Sequence, residues 1–314
     1  MKGLTVLSLF NGISCGMIAL EKAGISVNKY YSSEIKKVAI QCTHDNYPDI
    51  IEVGDVTEIS YSNGILSTEK GYFTVGKIDL VIGGSPCQDF SCMYNAGQGL
   101  KGEKSKLFYH YHRILNEVKP KYFFLENVKM KKDQELILNE YMGCKPIKVN
   151  SSLVSAQTRN RLYWTNIPFS LPEDKHICLQ DILTDGYTYK KKASCLLVSD
   201  GRPCGTPIKM FHRSYGKGFM NLIFKSKEHF ENCKNHYDTN FKNYSAKQID
   251  EKLKNEDIDL SVYEGIRWLN KTELQRCQTI PENYCENLTR NKTADVCGDG
   301  WTVDTIVCFF KNIK

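Results

Sequence analysis

What this chain lacks narrows it first. It has no C-x-x-C pair and no His/Cys cluster at zinc-ligand spacing, so no structural metal is expected. Its 13 cysteines are odd in number, in a chain of 314 residues with no secretory signal, which argues against a disulfide framework. Most of them read as buried small hydrophobes. Long apolar runs are missing too. The opening MKGLTVLSLF is broken by Asn11 and Gly12 too early for a signal peptide or a membrane span. A cytoplasmic protein with no membrane partner is expected. There is no internal repeat and no low-complexity linker.

What is present is ordinary in bulk: 41% hydrophobic and 25% charged residues, as in a globular protein. The length suits one large α/β domain, or a catalytic domain with a smaller insert. The formal charge of +6 is unevenly spread. Residues 190–254 hold 14 Lys/Arg against 6 Asp/Glu, a local excess of +8, with His212, His229 and His236 in the same window. A lysine-rich solvated surface is one reading; an anionic partner such as nucleic acid is the other.

The first half alternates strand-like and helical patterns, which predicts a mostly parallel sheet with helices on its faces. Strands are expected at Leu4–Phe10, Val27–Ser33, Ile50–Val53, Ile78–Ile82 and Tyr122–Leu125, and another begins at Arg161–Thr165. Helices are expected at Met17–Ala23 and around Leu107–Val118. After Pro172 the alternation is lost, and order returns near Gly265. Thr302–Phe310 reads as an apolar helix or strand. The division that follows is a catalytic α/β domain from residues 1–171 and 266–314, with an insert at 172–265.

In open parallel sheets, ligands gather at the carboxyl ends of strands. Five successive strand ends carry Asn11-Gly12-Ile13-Ser14-Cys15-Gly16, Glu34, Asp55, Ser85-Pro86-Cys87 and Glu126-Asn127. The Gly turn admits close backbone approach but is weak alone. Glu34 is placed to accept from ribose hydroxyls and Asp55 from an adenine amino group; each could equally be a helix cap or a surface carboxylate. Gly83-Gly84-Ser85-Pro86-Cys87-Gln88 is the strongest signal, a rigid loop holding a thiol at the ligand edge. Glu126 closes an apolar strand, where a charge needs a partner such as Arg159 or Arg161.

With these residues in order, the chain resembles the DNA cytosine-5 methyltransferase family over both ends, the insert excepted. LSLFNGISCG resembles the first cofactor motif, SSE and GDV the next two, and GGSPCQDFS the catalytic loop. GLKGEKSKLF resembles the segment after that loop. LENV matches the motif of the catalytic glutamate, and QTRNRLYW, with Gln157, fits Q-x-R-x-R. RWLNKTELQRCQTIP resembles the motif closing the recognition region, and GDGWTVDTI the last cofactor motif, in a form like phage, bacterial and vertebrate de novo members.

The resemblance implies an S-adenosylmethionine-dependent methyltransferase (Rossmann-like) fold and methylation of cytosine C5 in double-stranded DNA, with S-adenosylhomocysteine as product and no metal. Cys87 would be the nucleophile, with Glu126, Arg159 and Arg161 completing the catalytic set. Phe10, Asn11, Gly12, Ile13, Ser14, Cys15, Glu34, Asp55, Val56, Pro86, Asp299, Gly300 and Trp301 would line the cofactor. Gln88 and Asn127 would face the substrate, Asn127 by bracing the Pro86-Cys87 loop. Ile35 stands where some members have an aromatic, and Asp299 where many carry asparagine. The insert would be the target-recognition domain, its KMFHRSYGKGFMN stretch offering Arg213, Tyr215 and Lys217 to DNA. A monomer on DNA is expected, with an oligomer as the alternative, in a bacterial or phage-infected cell. The tRNA branch of the family and a catalytically dead DNA-binding regulator are the competing readings. The absence of a Cys-Phe-Thr signature counts against the first, and the intact Cys87, Glu126, Arg159 and Arg161 against the second.

Overall fold

The computed structural model describes residues 3–86, 106–202 and 205–314. Cys87 and Gln88 lie outside the described residues. The described chain divides into two compact units. The first runs to Val154 and adds Arg159–Asp174 and Gly300–Lys314; the second is Ser155–Thr158 with Lys175–Asp299.

Unit 1 is built on a seven-stranded sheet. In chain order its elements are β1 (Leu4–Leu9), α1 (Cys15–Lys22), β2 (Val27–Ser33), α2 (Lys37–Asn46) and β3 (Ile51–Glu52). A small meander follows, β4 (Ser60–Ser62), β5 (Ile65–Thr68) and β6 (Gly71–Thr74), then β7 (Leu80–Gly84) and α3 (Lys106–Val118). The unit continues through β8 (Tyr122–Val128), α4 (Lys132–Met142), β9 (Ile147–Asn150) and β10 (Asn160–Thr165). The sheet order is β3-β2-β1-β7-β8-β10-β9, parallel from β3 through β8, with β10 antiparallel to both of its neighbours. The order reverses between β1 and β7, which makes their carboxyl ends the crevice of the sheet. Leu9 and Gly83 stand in register there, so the loops after the two strands leave side by side.

The strands read as apolar runs because both faces of the sheet are covered. On one face Leu7, Leu9, Val81 and Leu125 pack with Phe108, Tyr111 and Ile114 of α3 and Leu138 of α4. The helical spacing of Phe108, Tyr111, Ile114 and Val118 is what gives α3 its buried stripe. The ring of Phe124 meets Trp301, Phe309 and Phe310 edge-on at 5.6, 5.2 and 5.3 Å. The mostly parallel α/β sheet is the expected one. The meander at 60–74 is absent from the sequence reading, since strands of three or four residues between glycines carry too little alternation to register.

Unit 2 holds α5 (Pro207–Phe211), β11 (Leu222–Ile223), α6 (Lys227–Asn240), α7 (Ala246–Asn255), β12 (Arg267–Trp268), α8 (Lys271–Cys277) and α9 (Arg290–Asp299). The chain then returns to unit 1 with α10 (Val303–Phe310). The unit 2 core is aromatic: Phe211, Phe224, Phe230, Tyr237, Phe241 and Tyr263 are all buried. Helix α6 eluded the sequence pattern because it buries only Phe230, Cys233 and Tyr237 from 14 residues. Residues 266–299 group with the insert here, where the motif-based boundary put them with the catalytic part. Arg267 explains why: its strand pairs with β11, and its guanidinium bonds Asp185 at 2.7 Å and Glu273 at 2.8 Å. Among the described residues no helix is long and apolar enough to cross a membrane.

Candidate active site

The turn after β1 alternates in hand. Phe10, Gly12 and Ser14 have φ of 57, 58 and 57°. Two of these are not glycine, and each such conformation costs on the order of 1–3 kcal/mol unless its surroundings impose it. They are imposed by a buried polar network. Asn11 Nδ2 donates to Ser14 Oγ at 2.7 Å, Tyr30 OH donates to Asn11 Oδ1 at 3.0 Å, and Ser14 Oγ lies 2.9 Å from Thr43 Oγ1. Burial pushes the Tyr30 phenol far above its usual range, keeping it a donor. Asn11, Ile13, Ser14 and Cys15 are all buried, so this loop can meet a ligand mainly through the backbone of Phe10–Gly12. Sequence reasoning missed Tyr30 and Thr43, whose only signal is a polar atom on an otherwise buried strand and helix.

Glu34 is held at the mouth of the same turn. Its Oε2 accepts from Gly12 N–H at 2.7 Å, and its Oε1 accepts from the Ile35 and Lys36 amides, both at 2.8 Å. It therefore fixes the turn and opens α2. Ser33 Oγ donates to Gly54 O at 2.8 Å, tying this edge to the next. Asp55 caps the short turn Val56–Glu58 through Oδ1, which accepts from Thr57 N–H at 2.9 Å and Thr57 Oγ1 at 3.0 Å; Oδ2 takes part in neither bond. Val56 is buried. Glu69, at the tip of the meander, accepts from the Asp55 amide at 3.0 Å. It was invisible to motif reading because it lies 14 residues on, in the unrecognised hairpin.

A second cluster forms where β7 and β8 end. Glu126, 8% exposed, pairs through Oε1 with Arg161 Nε at 2.8 Å. A buried carboxylate costs several kcal/mol unless paired, and the guanidinium offsets that cost. Of the two arginines considered for Glu126, Arg161 is the one that pairs. Arg159 is buried and donates from Nη2 to Gly300 O at 2.8 Å, so it secures the stretch that leads into Trp301. The third member of the triplet, Gln157, belongs to unit 2, where its amide bonds Cys277 O, Gln278 Oε1 and the Leu196 N–H. One short motif thus does three separate jobs.

Gly84 is the hinge of this cluster. A Cβ there would stand 2.9 Å from Trp301 Nε1 and 3.0 Å from Glu126 Oε2, so the bare Cα is what admits both. Asn127 Nδ2 donates to Ser85 Oγ at 3.0 Å and Ser85 O at 3.3 Å, bracing the segment that runs into half-buried Pro86. Asp299 ends α9 in unit 2, while Gly300 and Trp301 belong to unit 1. In unit 2, Arg213 is exposed on a turn of π-helix, His212–Gly216, Lys217 is exposed just after it, and half-buried Tyr215 donates to Asp238 Oδ2 at 3.3 Å. Among the described residues no group of three His, Cys, Asp or Glu side chains is gathered as for a metal.

Residues 4–142 match the family model of C-5 cytosine-specific DNA methylases. The orphan methyltransferase M.Rho11sI of Bacillus phage rho11s is 35% identical over 131 residues, 41% of this chain and 24% of that protein. The DNA (cytosine-5)-methyltransferase DRM1A of Oryza sativa subsp. japonica is 38% identical over 121 residues, 37% of this chain and 25% of that protein. The matched stretch thus spans about a quarter of the length of these curated relatives. Among solved structures, a triple mutant of Spodoptera frugiperda DNMT2 aligns at TM-score 0.62 with 16% identity, over 97% of this chain and 98% of that one. The Entamoeba histolytica methyltransferase EhMeth aligns at 0.64 with 14% identity, over 98% of this chain and 97% of that one. At such identities these two speak to fold alone. The stretch that matches the family model runs from the start of β1 to the end of α4 and includes the strand ends that carry Asn11-Gly12, Glu34, Asp55 and Glu126.

Proposed function

We propose that the protein is a DNA cytosine-5 methyltransferase that methylates a flipped-out cytosine in double-stranded DNA through a transient bond from Cys87 to C6. The observation that carries this is the buried Glu126–Arg161 pair beside Gly84, at the mouth of the loop that leads to Cys87. Cytosine C5 is a poor nucleophile until the aromatic ring is broken. Addition of the Cys87 thiolate to C6 makes C5 enamine-like. Glu126 would bond N3 and the amino group as charge develops there, and Arg161 would hold the O2 edge. C6 is out of reach within a duplex, so the base must leave the stack. After transfer the C5 proton is removed and the thiolate is expelled, restoring the ring.

S-adenosylmethionine, when bound, supplies the electrophilic methyl and leaves as S-adenosylhomocysteine. The residues fit such a group. Gly12 offers open space at the turn, Glu34 Oε2 keeps a lone pair beyond its single amide bond, and Asp55 Oδ2 lies outside the Thr57 cap. Glu34 would take the ribose hydroxyls, Asp55 and Val56 the adenine, and Trp301 the far wall. Unit 2 would serve target recognition, with Arg213, Tyr215 and Lys217 toward DNA.

The test is methyl transfer from labelled S-adenosylmethionine to unmethylated duplex DNA and to tRNA in parallel, with bisulfite sequencing of the DNA. Label in DNA at one short motif is expected. Label only in tRNA, or in neither, sinks the proposal. Cys87→Ala should abolish transfer while cofactor binding, read by calorimetry, stays near wild type.

A further inference from the structure

Unit 2 buries its aromatic side chains with few exceptions. Among the described residues of this unit, Phe219 and Tyr244 are the large apolar side chains left exposed, at 44% and 37%. Tyr244 is covered by a cation, Lys252 Nζ standing 5.6 Å from its ring centre. Phe219 is different: the chain on either side of it is clamped. Lys190 Nζ donates to Gly218 O at 3.2 Å and to Met220 O at 2.6 Å, the carbonyls that flank the phenylalanine. Ser194 Oγ donates to Gly218 O at 3.0 Å, and the Phe219 amide itself closes onto Arg213 O at 3.0 Å. Ser214 Oγ donates to Met220 O at 3.3 Å, and Met220 is held at φ 61°.

A ring left 44% exposed beside a clamped backbone stabilises the fold less than a buried one, since apolar burial is what stabilises it. Arg213 and Lys217, both exposed, stand six and two residues before it, within the stretch of residues 190–254 that carries a +8 excess. Cations that meet phosphates, next to a rigid apolar tip, make the combination with which proteins enter a base step.

We propose that Phe219 is a wedge that stacks on the bases of duplex DNA, held out for that purpose by the Lys190–Ser194 clamp. This rests on the DNA reading above. Preorganisation is the gain: the ring pays little ordering entropy when it meets the base.

The experiment is binding of the full-length protein to a labelled random-sequence duplex across a salt series, for wild type, Phe219→Ala, Phe219→Trp and Lys217→Ala. Phe219→Ala should weaken binding on the order of tenfold with the slope of log K against log salt unchanged, because stacking releases no counterions. Lys217→Ala should flatten that slope by about 0.9. Phe219→Trp should hold its affinity, and its added fluorescence should be quenched by the duplex. Phe219 is exposed, and matching thermal melts confirm that its variants fold. Wild-type affinity in Phe219→Ala, or a changed salt slope, overturns the wedge and leaves the DNA reading standing. No salt-dependent duplex binding by the wild type overturns the DNA reading itself.

Discussion

At the level of single residues, the site depends on what Gly84 leaves out. Gly84→Ala would push a methyl between Trp301 Nε1 and Glu126 Oε2. The expected result is a loss of about 1–3 kcal/mol by urea denaturation and a far larger loss of transfer rate, because both displaced groups belong to the proposed site. Arg161→Ala removes the partner of a buried carboxylate. It should destabilise the protein by about 3 kcal/mol, and Glu126→Gln in the same background should recover much of that loss, a double-mutant comparison that isolates the pair. Glu126 and Arg161 were legible in the sequence because a charge at the end of YFFLENV demands a partner, and the choice between Arg159 and Arg161 was not. That choice is made by register: Arg161 lies across from Val128 on the antiparallel neighbour, two residues from Glu126 on its own strand, while Arg159 precedes the strand and turns toward Gly300. Tyr30 was illegible for a related reason. Nothing local in VNKYYSS says that one of two adjacent tyrosines will reach Asn11.

Among the elements, the turn of residues 10–14 and the 212–220 loop are built alike, each a strained backbone fixed by polar side chains, buried in the first and, Ser214 apart, half-buried in the second. Thr43→Val takes a hydroxyl from the first network and should weaken cofactor binding by calorimetry while leaving the sheet intact. The second loop carries a pH signature. Burial lowers the Lys190 ammonium from 10.5 to about 8, against a smaller opposing pull from Asp200. Between pH 8 and 10.5 the unfolded chain keeps a proton that the folded chain has lost, so this residue's contribution to stability rises with pH across that window. The melting-temperature difference between wild type and Lys190→Met should move in the wild type's favour from pH 8 to 10; a flat difference would place the ammonium in water. Neither loop's stiffness could be read from the sequence. The glycines of GKGF mark a turn, but the lysine that clamps it stands about 30 residues upstream. The helices of the insert were equally hidden, since α6 and α7 present many charges and few apolar positions.

For the molecule as a whole, the parallel sheet was the most legible feature, because strands buried on both faces announce themselves as apolar runs. The boundary near residue 265 was the least so. Motifs record chemistry, whereas compactness follows contacts such as those of Arg267 with Asp185 and Glu273. Glu273 is fully buried; burial would raise its carboxyl, but Arg267 together with the Asn270 and Thr184 amides outweighs it and holds the group below its usual range. The stability it lends is present above the ordinary carboxylate range and is lost as pH falls through its lowered value. Acid unfolding of wild type and Glu273→Gln should therefore converge at low pH and separate near neutrality.

The position of α10 has a consequence for how the protein is made. Its Phe309 and Phe310 pack on Phe124, and Asp304 bonds Lys22 at 2.7 Å across 282 residues of chain. On the ribosome the central strands emerge long before the helix that covers them, with the whole of unit 2 translated in between. The part of the sheet around Phe124 that α10 covers stays bare until synthesis reaches residue 310, and that interval is when the nascent chain is most exposed to aggregation.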